Sequence, residues 1–249
     1  MIKNIFKPFN NNLNSLLPIR FNNVSLKLGN NYFFNQLSFK INTNGMTAFI
    51  GPNGAGKSSC IKLLAGLIQP NSGEVIFSTN KKIINMIGYV PQKIILLRRS
   101  VERNLLHALT ISGYPTNEKK RRIKEILEFA KLTYLAKQSA RNLSVGQQQL
   151  VSIMRALIIR PSFLFLDEPC ANLDLKSIRI IEVLLKLASK SGVKIIIVTH
   201  DLFQAKRLSD EILFFYNGKI TEQSETKDFF KRPESKQAKD FQNGLLLNG

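Results

Sequence analysis

Four stretches of the chain are apolar with almost no alternation: Met46–Gly51, Lys82–Val90, Ser162–Asp167 and Lys194–Thr199. Rich in Ile, Val and Phe, they are predicted as strands buried on both faces, as in a parallel sheet covered by helices. Between them, Lys57–Leu67, Val145–Ile159 and Leu175–Ser189 carry apolar residues at helical spacing. That alternation predicts an α/β fold with right-handed crossovers. From about Ile94 to Ala140 no strand-like run occurs, while Ser100–Leu109 and Asn117–Ala130 are helical in period. A small helical insertion, about residues 93–142, is expected between two strands. After Asp210, short strands Ile212–Tyr216 and Lys219–Thr221 flank an Asn217-Gly218 turn, and helical segments Glu225–Phe230 and Glu234–Phe241 follow. The first seventeen residues, Asn-rich and irregular, are expected to form a frayed or disordered extension, leaving 18–249 as the folded domain.

Composition narrows the picture. At 249 residues, 44% hydrophobic and 21% charged, the chain is too apolar to be disordered. No apolar stretch approaches the ~18 residues that cross a bilayer. The N-terminus carries Lys3 and Lys7 but no continuous apolar segment, so it does not read as a signal peptide. Cys60 and Cys170, without a CxxC, offer nothing for a disulfide framework or zinc site. A soluble, reducing, cytoplasmic setting is expected. The net charge of +19 favours anionic partners in general. Yet the basic residues are scattered outside Lys119–Lys124, and Lys outnumbers Arg by 24 to 12. Compositional drift toward Lys and Asn therefore ranks ahead of a basic membrane-facing surface.

The candidate chemistry begins after the first buried run. Gly51-Pro52-Asn53-Gly54-Ala55-Gly56-Lys57-Ser58, continued by Ser59, fits G-x-x-x-x-G-K-[ST] between a strand and a helix. Glycines let consecutive backbone amides converge on phosphate oxygens, and the helix N-terminus adds its dipole. Lys57 suits the β- and γ-phosphates, and the Ser58 hydroxyl suits Mg²⁺. A second element, Phe163–Pro169, is a buried run ending in Asp167-Glu168. Carboxylates at the carboxyl end of a parallel strand sit where α/β sheets bind ligands. Asp167 is suited to holding Mg²⁺ through water, and Glu168 to polarising an attacking water. No [NT]KxD guanine-reading motif is present, which argues against a GTPase.

Between these elements, Asn142–Gln149 contains Leu143-Ser144-Val145-Gly146-Gln147, which resembles the LSGGQ signature of the ATP-binding cassette (ABC) family. Other marks of that family fall in order over roughly Leu17 to Phe241. Gln92 in Gly88–Gln92 resembles the Q-loop glutamine, Ala171–Asp174 the D-loop, and His200 in Val198–Asp201 the switch histidine. The resemblance implies a P-loop ATPase cassette: a mostly parallel core sheet, an N-terminal antiparallel β subdomain and an inserted helical subdomain. It implies two cassettes packed head to tail, ATP lying between one chain's phosphate loop and the other's signature. Ser144, Gly146, Gln147 and Asp174 would then serve nucleotide binding across a symmetric homodimer or a pairing with a related second subunit. Glu168 would be the general base, His200 would stabilise the γ-phosphate, and Gln92 would sense it and join Ser58 and Asp167 around Mg²⁺. Val145 replaces the first glycine of the usual pair, and Leu150 stands where Arg is common. The usual adenine-stacking position falls on Leu28, with Tyr32 and Phe33 nearby as substitutes.

The tract Leu96–Asn104, with Arg98, Arg99 and Arg103, resembles the groove that receives a membrane subunit's coupling helix. Leu97–Val101, Thr199–Asp210 and Phe229–Ser235 are similar to the matching stretches of tungstate-type importer subunits, and phosphate importers share part of the C-terminal pattern. The expectation is an ATP-hydrolysing, Mg²⁺-dependent importer subunit for tungstate, molybdate or phosphate. It would sit peripherally on the cytoplasmic face of the membrane, bound to integral permease subunits and indirectly served by a substrate-binding protein. Two other classes stay open at this stage. A soluble cassette acting on ribosomes or DNA draws only on the charge, and no nucleic-acid partner is expected. A regulatory cassette without hydrolysis sits poorly with intact Lys57, Asp167, Glu168 and His200.

Overall fold

The computed structural model of the chain describes residues 5–8, 16–29, 31–78 and 83–245. Its contacts group the chain into two compact units: residues 1–11, 85–164 and 169–194, and residues 12–84, 165–168 and 195–249.

The second unit opens with β1 (Ile19–Leu28), β2 (Asn31–Ile41), β3 (Met46–Ile50), α1 (Lys57–Leu64) and β4 (Ser72–Phe77). β1 pairs antiparallel with β2 and β4 in a three-stranded sheet of order β2-β1-β4. Phe21 opposes Phe39 in that ladder and their rings stack 4.3 Å apart. Every residue of β3 is buried, as the unbroken apolar run requires. β3 lies in a second sheet of order β5-β6-β7-β3-β8-β9, with β5 (Ile87–Val90), β6 (Phe163–Asp167), β7 (Lys194–Val198), β8 (Glu211–Tyr216) and β9 (Lys219–Glu225). β3 is parallel to β7 and β8, and β9 runs antiparallel to β8. The mostly parallel α/β core is thus as expected, and three of its buried strands lead into candidate site residues: β3 into Gly51, β6 into Asp167 and β7 into His200.

The helices are α2 (Val101–Ile111), α3 (Thr116–Phe129), α4 (Val145–Leu157), α5 (Leu175–Lys190), α6 (Leu202–Leu208), α7 (Thr226–Lys231) and α8 (Lys236–Gln242). α2 and α3 fill the stretch expected to be helical. Three local differences have clear causes. Of the run Lys82–Val90, Lys82 lies outside the described residues, and the rest forms a strand only over Ile87–Val90, after a 3₁₀ turn at Ile83–Met86; Asn85, a poor strand former, interrupts it. β9 extends to Glu225 because it pairs with β8 along its whole length. α6, not foreseen, is started by Asp201, whose carboxylate accepts the Gln204 amide at 3.0 Å.

Residues 5–8 are irregular but not frayed. Phe6 is fully buried and meets Phe129 edge-on at 5.3 Å. Leu16 is likewise buried, while residues 1–4 and 9–15 of the expected extension lie outside the described residues. Phe6, in an otherwise Asn-rich tail, belongs to no periodic pattern, so pattern reading could not place it.

Candidate active site

The phosphate loop leaves β3 at Gly51 and enters α1 at Lys57. Gly51 has φ 145° and Gly56 φ 111°. A Cβ on Gly51 would lie 2.0 Å from the Phe215 carbonyl oxygen, and one on Gly56 2.6 Å from the Phe34 ring. Backbone conformation and space therefore both demand glycine. The Lys57 ammonium donates to the carbonyls of Gly51 at 2.8 Å and Pro52 at 2.7 Å. Burial pulls its pKa down from the ordinary value, with Glu168 and Asp167 opposing. A cation held this way gains stabilisation from any anion brought into the loop.

Ser58, in the first turn of α1, donates its hydroxyl to Asp167 Oδ1 at 2.8 Å. Asp167 closes β6 and is 3% exposed. Burial raises its pKa, while the Ser58 hydrogen bond and Lys62 pull the other way. Glu168 turns the chain with φ 48°, its amide donating to Val198 O at 3.0 Å. Its carboxylate Oε2 then stands 3.3 Å from His200 Nδ1. Adjacent carboxylates thus diverge, one toward the loop hydroxyl and one toward the histidine at the end of β7. The backbone twist at Glu168 is what separates them.

A second cluster lies in the other unit. Ser144 caps α4: its hydroxyl accepts the Gln147 amide at 3.3 Å, and the Gln147 side chain accepts the Ser144 amide at 3.1 Å. Asp174 caps α5, accepting from the Ser177 amide at 2.9 Å and hydroxyl at 2.6 Å. These bonds, the Ser177 hydroxyl first, hold the Asp174 carboxyl below its ordinary pKa. Gly146 abuts Ser177, and a Cβ there would sit 2.0 Å from the hydroxyl oxygen. Val145 is 56% exposed, so the unusual residue causes no crowding. Leu150 instead lines an apolar groove of about 980 Å³ beside these groups. Gln92 is exposed in the coil after β5. Ser177 is the residue that motif reading missed, although Asp174-x-x-Ser177 has the spacing of a helix N-cap.

Lys57, Ser58, Asp167, Glu168 and His200 are therefore gathered in one unit, and Ser144, Gly146, Gln147 and Asp174 in the other. Of the aromatic candidates, Phe33 is part-buried beside the loop, its ring 3.1 Å from where a Gly56 Cβ would be. Tyr32 is exposed with the Lys27 ammonium 4.7 Å from its ring centroid. The Leu28 side chain lies outside the described residues.

The profile of the ABC transporter family matches residues 34–171, over half of the chain. The chain belongs to the ABC transporter family. It is similar to the molybdate/tungstate import ATP-binding protein WtpC of Methanocaldococcus jannaschii, at 33% identity over 90% of this chain and 75% of the relative. It is also similar to the zinc import ATP-binding protein ZnuC of Rickettsia conorii, at 38% identity over 81% of this chain and 84% of that one. Among solved structures, a dimeric ATP-binding cassette in a post-hydrolysis state, bound to ADP and Pi, superimposes with a TM-score of 0.73. It shares 28% identity, over 84% of this chain and 98% of the other. The ABC chain is accordingly an ATP-binding subunit, an ATPase coupled to transport. Among the described residues no helix is long and apolar enough to cross a membrane.

Proposed function

We propose that the chain hydrolyses ATP to drive an importer whose cargo is an oxyanion: tungstate, molybdate or phosphate. The observation that carries hydrolysis is the divergence of Asp167 and Glu168, bonded to Ser58 and facing His200 respectively. Lys57 and the loop amides bind the β- and γ-phosphates. Glu168 accepts a proton from the attacking water, and His200 orients that carboxylate and the γ-phosphate. Among the described residues no cluster of three His, Cys, Asp or Glu would cage a metal ion. Ser58 and Asp167 are hard oxygen donors, the set that holds Mg²⁺ together with phosphate oxygens and water. When bound, Mg²⁺ neutralises charge on those phosphates; Gln92 is proposed as a further contact.

Ser144, Gly146 and Gln147 are proposed to meet the γ-phosphate bound by a second copy of the chain, at the amide end of α4. Asp174 positions that edge through Ser177. The chain would work as a homodimer on the cytoplasmic face of a membrane, held by integral permease subunits that provide the path. A substrate-binding protein would deliver cargo to the permease. The oxyanion reading rests on likeness to a molybdate/tungstate import subunit over 90% of the chain, set against the zinc importer subunit described above.

Two experiments test the proposal. ATP turnover by the wild type and its loss in Glu168→Gln support the base assignment; normal turnover in Glu168→Gln overturns it. Cells lacking the subunit, grown in trace tungstate and molybdate and in limiting phosphate, are then analysed for tungsten, molybdenum and phosphorus. A selective deficit restored by wild type but not by Lys57→Ala supports the oxyanion importer. Unchanged uptake of all three removes that cargo class.

A further inference from the structure

The C-terminal end of α4 is held by a buried cation. Arg122, in α3, is 2% exposed. Its Nε donates to Ile158 O at 3.0 Å, and its Nη2 donates to the same carbonyl. Ile158 is the residue that caps α4. The next carbonyl, Ile159 O, accepts the Tyr114 hydroxyl at 2.9 Å, and the Tyr114 ring lies 5.1 Å from the Arg122 guanidinium carbon. A cation and a hydroxyl thus satisfy consecutive carbonyls at the negative end of the helix. The N-terminal segment seals this arrangement. Ile5 O accepts from Arg122 Nη2 at 3.5 Å, and Phe6 closes over Phe129 at the end of α3. Arg122 Nη1 has no partner among the described residues, so the guanidinium is buried for what its other nitrogens do.

We infer that Arg122 is a positioning residue for the signature end of α4, with Tyr114 as its support and residues 5–8 as a strap that keeps it dry. The inference rests on the proposed role of Ser144 and Gly146 against a partner's nucleotide. α4 runs 13 residues from Val145 to Leu157, a rod of roughly 20 Å. A tilt of about 3° about its anchored end carries the other end by about 1 Å over that length. Misplacement by ~1 Å costs on the order of 100-fold in rate when groups must be preorganised. Arg122 lies in α3 and holds the end of α4 opposite to Ser144. Its loss therefore affects the step that needs Ser144 placed, while nucleotide binding by the phosphate loop continues.

The test uses the full chain and compares kcat and KM for ATP with the affinity for a fluorescent ATP analogue. Arg122→Met keeps the stem and removes the donors; Arg122→Lys keeps the charge without the fork. Phe6→Ala opens the strap and leaves Arg122 intact. The expected result is at least a tenfold fall in kcat for Arg122→Met, partial recovery in Arg122→Lys, and a two- to fivefold fall in Phe6→Ala. Analogue affinity stays within twofold throughout. Equal kcat in wild type and folded Arg122→Met overturns the inference, as does a parallel loss of affinity and kcat. Should Arg122→Met not fold, Phe6→Ala decides: wild-type kcat there removes the strap and with it the inference. The Glu168→Gln control separates the outcomes, because its failure strikes the catalytic reading whatever Arg122 does.

Discussion

Gly146 and Ser177 are packed so closely that a methyl group on Gly146 would lie 2.0 Å from the Ser177 hydroxyl oxygen and 2.6 Å from its Cβ. The first turns of α4 and α5 meet there without room for a side chain. Gly146→Ala is therefore expected to push the signature turn off Asp174 and cut ATP turnover at least tenfold, at a stability cost of about 1–3 kcal/mol. Ser177→Ala leaves the Cβ in place and does not rescue it. Ser177→Gly removes both obstructing atoms and restores much of the lost turnover in the double variant, despite ~1 kcal/mol of helix propensity. Steady-state ATPase assays on the set check this, and equal activity of both double variants refutes the steric account.

Asp167 is held as a buried carboxylate whose pKa burial raises. The folded chain therefore binds a proton there more readily than the unfolded one. Stability from this group is complete below the ordinary carboxylate value of 3.8 and declines as pH rises through the raised folded value. Asp167→Asn keeps an acceptor for Ser58 and removes the charge. It is expected to raise the melting temperature of the nucleotide-free protein at pH 7, by about 2–4 °C per 1 kcal/mol gained. The same variant should lose Mg²⁺-dependent turnover, the trade of stability against function seen at strained sites. Melting curves from pH 4 to 8 check the sign, since the gain must shrink toward the acid end.

What the sequence made legible follows from how local each signal is. The phosphate loop is a contiguous set of residues whose glycines are needed for backbone reasons, so Gly51 and Gly56 could be placed from the motif alone. The buried strands were equally plain, because burial on both faces leaves an unbroken apolar run. Asp167 and Glu168 are adjacent in the motif, but their divergence runs through the positive φ at Glu168, which no sequence pattern marks. The Gly146–Ser177 contact, the anchoring of Ile158 by Arg122 and the docking of Phe6 join residues distant in sequence. No period or spacing encodes them. α6 was missed for a different reason: at seven residues it is too short for a period, and only its Asp201 cap marks it.

Phe33 and Tyr32 offer different surfaces to a nucleotide base. Phe33 lies against the loop glycine Gly56, whereas the Tyr32 ring has the Lys27 ammonium 4.7 Å away. Base stacking on an aromatic face is worth about 1–3 kcal/mol. Phe33→Ala is accordingly expected to weaken ATP binding by about 5- to 150-fold on that scale, while Tyr32→Ala changes it by less than threefold. Titration with a fluorescent ATP analogue distinguishes them. The reverse order would transfer the stacking role to Tyr32.

Ser144 is asked to do two things, cap α4 and meet a partner's phosphate, and substitution separates them. Its hydroxyl accepts the Gln147 amide at 3.3 Å, a duty that Asp performs equally well. Ser144→Ala loses the cap and should cost about 1 kcal/mol, or roughly 2–4 °C in melting temperature. Ser144→Asp should keep the wild-type melting temperature, because the added negative charge favours the helix N-terminus. That same charge opposes an approaching γ-phosphate, so turnover should fall at least 100-fold while nucleotide binding to the loop around Lys57 persists. Wild-type turnover in Ser144→Asp would show that this residue only caps its helix, and would take the signature contact away from the proposed dimer.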